Sequence, residues 1–105
     1  MTKVKWTRGG NISGTALIGE ISVPYARLVE IFGQPDGGDG YKTDAEWTLT
    51  LPGGMDVIVA TIYNWKDGRA YCGVHGTYVE DIRDWHVGGK KREALWLVQQ
   101  IIGGR

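Results

Sequence analysis

The most restrictive stretch of this sequence is the run from Met55 to Trp65. Val57, Val59, Thr61 and Tyr63 alternate with Ile58, Ala60 and Ile62, so the run is apolar or β-branched on both faces. Successive strand residues point to opposite faces, and a strand with two such faces belongs in the middle of a sheet. Just before it, Ala45, Trp47, Leu49 and Leu51 alternate with Glu46, Thr48 and Thr50, the period of a half-buried strand. Pro52-Gly53-Gly54 supplies the turn between them. A chain with this hairpin at its centre is committed to a sheet, and the other segments must extend or cover it.

Lys3 to Thr7 alternates charge with Val4 and Trp6 and predicts a short edge strand, followed by a turn or link at Arg8-Gly9-Gly10-Asn11. Thr15 to Ser22 is either a second strand or the approach to a helix. That helix is predicted over Pro24–Phe32. Pro24 suits its first position, Tyr25, Leu28, Val29 and Phe32 form one apolar face, and Gly33 and Pro35 end it. The glycine-rich segment 36–40 is a surface loop. Beyond the hairpin, Lys66-Asp67-Gly68 turns into a short strand over Arg69–Val74. Val79–Val87 holds a further one, with Ile82 and Trp85 as buried anchors. Gly88-Gly89 is expected to open a last helix whose stripe is Ala94, Leu95, Leu97, Val98, Ile101 and Ile102. The class is therefore α+β: an antiparallel sheet of three to five strands with two helices packed on it. At 105 residues a single domain is expected, with residues 1–14 as a loosely attached edge strand.

Composition narrows the functional classes. Twelve Lys+Arg balance twelve Asp+Glu. A general nucleic-acid binder needs a basic surplus, so direct nucleic-acid binding is not expected. No apolar run reaches the roughly 20 residues of a membrane helix, and no secretory h-region opens the chain. Cys72 is the single cysteine, which excludes an internal disulfide and fits a cytoplasmic protein. The charges are segregated: basic ends flank an acidic middle, which creates a field that the zero net charge conceals. Five Trp and five Tyr suit both core edges and binding surfaces.

Three groups of residues are candidates for chemistry. Cys72 with His75, and Asp84 with His86, are metal-ligand types, but a tetrahedral site would need all of them to converge and no second motif supports this. A lone buried cysteine and two histidines in turns explain the same letters. Gly88, Gly89, Lys90, Lys91 and Arg92 place glycines and bases where the last helix would begin, a pattern suited to phosphate. Nearby acids at Asp81, Asp84 or Glu93 would equally balance those bases. Asp36, Asp39, Tyr41, Asp44 and Glu46 form an acidic, aromatic group suited to a cationic groove on another protein.

The segments Gly38-Asp39-Gly40-Tyr41-Lys42-Thr43-Asp44-Ala45-Glu46-Trp47, Ala60-Thr61-Ile62-Tyr63-Asn64-Trp65-Lys66-Asp67-Gly68 and Asp84-Trp85-His86-Val87-Gly88-Gly89 together resemble a family of small bacteriophage and prophage proteins. The resemblance spans roughly Ser22 to Ile102. It implies an inhibitor of host defence, such as an anti-CRISPR protein, acting in the host cytoplasm. The expectation is a non-enzymatic protein without cofactor or metal. Its partner would be a host nuclease such as a CRISPR effector, whose nucleic-acid channel the Asp36–Glu46 acids would occupy with Tyr41 as anchor. The alternative is a nucleotide-binding protein that sequesters an immune signal through the Gly88–Arg92 group. Homo-oligomerisation is left open.

Overall fold

The computed structural model describes residues 4–37, 40–53 and 56–103, so Lys3, Asp39, the turn residue Gly54 and Met55 at the start of the doubly apolar run lie outside the described residues. The strands are β1 (Thr7–Arg8), β2 (Ala16–Ser22), β3 (Glu46–Gly53), β4 (Asp56–Tyr63) and β5 (Asp84–Gly89). The helices are α1 (Tyr25–Phe32), α2 (Arg69–Cys72) and α3 (Glu93–Gly103). All strand pairs are antiparallel, in the order β1-β3-β4-β5-β2. The doubly apolar run is the central strand, as its pattern requires. Its hairpin register runs unbroken from Glu46 opposite Tyr63 to Gly53 opposite Asp56.

The core lies on one face of the sheet. Leu49, Leu51, Ile58, Ala60, Ile62 and Val87 meet Leu28, Ile31 and Phe32 of α1 and Ala94, Leu97, Val98 and Ile101 of α3. Trp47 and Trp85, both fully buried, touch edge to face at 5.4 Å beneath Tyr25. Each indole N–H has a carbonyl partner. Trp85 Nε1 donates to Val23 O at 3.1 Å, and Trp47 Nε1 to Gly33 O at 2.9 Å. The two indoles therefore hold α1 at both of its ends. Gly33, at φ +88°, stops that helix and donates its N–H to Val29 O.

The other face is crossed by residues 9–15, which run from β1 at one edge to β2 at the other. This strap has no counterpart in the sequence reading, which treats the glycines there as a turn or link. Gly10, at φ +143°, presses on the open-face side chains of Thr50 and Val59, and a Cβ there would come within 2.6 Å of Thr50 Oγ1. The strap covers only part of the face, and Val57 stays 70% exposed.

Two expectations are corrected and one open choice is resolved. Arg69–Val74 is the short helix α2 continued by a 3-10 turn at Gly73–His75. Gly88 and Gly89 end strand β5 and are paired to both β4 and β2, so they do not open α3. Thr15–Ser22, which the sequence allows as strand or helix approach, contains strand β2, which bulges where Leu17 faces Gly88 and Gly19 faces Val87. Among the described residues no helix is long and apolar enough to cross a membrane.

Candidate interaction surface and sheet-face groove

The acidic group expected as a contact surface is dispersed by the fold. Asp36 is exposed, pairs through its backbone with Glu46, and lies 3.7 Å from Arg8 Nη2. Asp44 turns inward: Oδ1 accepts from Asn64 Nδ2 and Oδ2 from the N–H of Ala70. Glu46 faces the strap side of the sheet, opposite Tyr63. Asp39 lies outside the described residues. Tyr41 is the one ring of the group, and it is exposed.

Tyr41 belongs to a surface that the sequence reading missed. Its ring meets Tyr71 of α2 at 5.2 Å. Lys66 Nζ lies 5.5 Å from the Tyr71 ring and 5.6 Å from the Trp65 ring, while Lys42 Nζ lies 5.4 Å from Trp65. The N–H of Lys66 donates to Lys42 O at 2.7 Å, which brings both ammonium groups to the same indole. Tyr41, Trp65 and Tyr71 are 57%, 41% and 41% exposed. Arg69 stacks on the exposed Tyr78 beside this cluster. Cation–π contacts of this kind keep each charge next to a ring that also meets solvent. The signal was present in the letters: Tyr41, Lys42, Trp65, Lys66 and Tyr71 alternate rings with bases. It is divided among three segments that only the fold joins.

Trp65 leads into a second feature. Its ring meets Tyr63 at 6.2 Å, and Tyr63 meets His86 at 5.5 Å. Register places Glu46, Tyr63, His86 and Glu20 directly opposite one another across four strands. His86 Nε2 lies 3.0 Å from Glu20 Oε1. Burial, and then the Glu46 carboxylate, push the Tyr63 phenol above its ordinary range. Between this row and the strap lies a groove of about 180 Å³. Thr61, Tyr63 and Gly88 form its floor, Glu46 one wall, and Ile12, Thr15 and Ala16 the strap side. A Cβ on Gly88 would come 2.5 Å from Thr61 Oγ1 and 3.4 Å from the Tyr63 ring, so glycine keeps the floor open.

The remaining candidates do not assemble. Cys72 is exposed, contrary to the buried cysteine considered from sequence, and its thiol lies 3.2 Å from Lys66 O. His86 lies in a strand and not in a turn, and among the described residues no three His, Cys, Asp or Glu side chains gather to hold a metal. Lys90, Lys91 and Arg92 are exposed in the turn before α3, while the amides of Gly88 and Gly89 lie within the sheet ladder. Compared with known proteins, the chain matches no family model, no curated protein and no solved structure.

Proposed function

We propose that this chain acts by occupancy, as a non-enzymatic binding protein whose ring-and-cation face docks on an acidic, pocketed surface of a protein partner. The observation that carries this reading is the contiguous exposure of Tyr41, Tyr71 and Trp65 around Lys66 and Lys42. Tyr and Trp are the residue types that carry most binding energy at interfaces, because they bury large area at low entropic cost. Flanking ammonium groups steer an anionic partner and repel a cationic one. The balanced overall charge supports a protein partner over general nucleic acid. In the phage setting that the resemblance implies, the partner is a host-defence protein such as a CRISPR effector. Plugging its basic nucleic-acid channel with the acidic loop has less support, since Asp44 is engaged internally and Glu46 faces the sheet. Sequestering a nucleotide through Gly88–Arg92 has less support too, since both glycine amides belong to the ladder.

The test is capture from lysate of a host carrying defence systems, with the intact chain as bait. A specific partner should be retained by the wild type and by Lys91→Ala, which is remote from the rings. It should be lost with Trp65→Ala and with Lys66→Glu. Retention of the same partner by both ring-face variants overturns the surface. Expression that leaves phage plating unchanged on every such host overturns the anti-defence reading. A melting temperature raised by a cyclic nucleotide would favour sequestration instead.

A further inference from the structure

We propose that the groove under the strap is a binding site for a small organic cation, a primary ammonium carried on a short aliphatic body. This site is distinct from the ring-and-cation face and does not depend on it. The groove has the three features such a ligand needs. The Glu46 wall supplies the opposite charge, and partial burial beside Tyr63 lowers the local dielectric, so attraction there exceeds that at an open surface. The Tyr63 ring lines the groove beside the bare Gly88 floor and adds aromatic surface to it. Ile12 and Ala16 offer apolar contact to the methylenes, and the buried Thr61 hydroxyl is an acceptor for an ammonium N–H. At roughly 30 Å³ per water, a space of about 180 Å³ takes a ligand of about five or six heavy atoms. An anion would meet Glu46 directly and be repelled. Lys90, the base that reaches the strap, leans on Gly14 at the groove's outer side and is not among the lining residues.

The experiment is an amide-resolved NMR titration of the full chain with three four-carbon probes: butylammonium, 1-butanol and butyrate. Butylammonium should give saturable shifts at Ile12, Thr61 and Gly88 at millimolar concentrations, where the alcohol and the acid give none. Glu46→Gln should weaken butylammonium by about tenfold or more, whereas Glu30→Gln, on helix α1 and not among the groove's lining residues, should leave it unchanged. Should Glu46→Gln fail to fold, Ile12→Lys tests the same point from an exposed strap position, since its own ammonium competes for the groove. Equal response to 1-butanol, equal weakening by Glu30→Gln, undiminished binding by Ile12→Lys, or no saturation by about 50 mM overturns the proposal.

Discussion

Asn64 has no solvent exposure at the end of β4, yet its amide is fully used. Its oxygen accepts from the N–H groups of Asp44 and Ala45, and its nitrogen donates to Asp44 Oδ1 and Asp67 Oδ1. Those bonds fix where the Tyr41–Asp44 segment lies against the end of the hairpin. Replacing it by Leu removes one partner from four buried or half-buried groups, so Asn64→Leu should cost about 2–4 kcal/mol in urea denaturation. Nothing in the local sequence marks this residue, because the Asp44 and Ala45 partners lie 20 and 19 positions away. Lys66 is the opposite case. It is the one non-glycine residue at positive φ among those described, at +59°. A left-handed conformation costs a side-chain-bearing residue of order 1 kcal/mol, and glycine adopts it freely. Lys66→Gly should therefore leave the denaturation midpoint unchanged or slightly raised while abolishing partner capture. A large loss of stability would show that the cation–π contacts hold the segment together.

At the scale of elements, the long periodic segments were legible and the short or tertiary-dependent ones were not. Helices α1 and α3 and strands β3 and β4 each repeat an apolar spacing often enough to declare themselves. Helix α2 spans four residues, too few for a helical period, and its Tyr and Cys read equally well as strand. What makes it helical is supplied from afar: Asp44, 26 residues earlier, accepts the N–H of Ala70 in its first turn. The glycines before α3 misled for a related reason. They look like a helix start, but the interior position of β5, between β4 and β2, and the close approach of Thr61 to Gly88 require them in the sheet. The clamp on α1 gives a direct test of element-level cooperation. Trp47→Phe keeps most of the ring volume and leaves Gly33 O without its indole donor. A loss of about 1–3 kcal/mol is expected from the unsatisfied carbonyl and the smaller ring. Hydrogen exchange should rise first in the amides of α1, because both ends of that helix depend on the indole pair.

For the whole molecule, the decisive asymmetry is a sheet with a sealed core on one face and a partly roofed face on the other. Alternation in β4 gave apolar character to both faces, and the strap, three of whose residues are glycine, supplies the partial cover on the second. Segment charges concealed the consequence: Lys42, Lys66 and Arg69 lie inside stretches that are acidic on balance, yet they gather with the exposed rings. The roofed face should leave a signature in stability at high pH. In the fold, Tyr63 holds its proton more tightly than the ordinary phenol value of 10.0, first through burial and then through Glu46. Above that value the unfolded chain releases this proton while the folded chain still binds it, so the unfolded state binds fewer protons and stability falls with pH. The contribution is whole below about pH 10.0 and is lost as pH climbs through the raised folded value. Urea midpoints measured from about pH 9 to about pH 11 should therefore fall more steeply for the wild type than for Tyr63→Phe, the difference cancelling the other tyrosines. Glu46→Gln should reduce the extra slope without abolishing it, because burial is the larger cause. Parallel slopes for the wild type and Tyr63→Phe would mean that the phenol is as well solvated in the fold as in the open chain, and that the strap leaves this face wet.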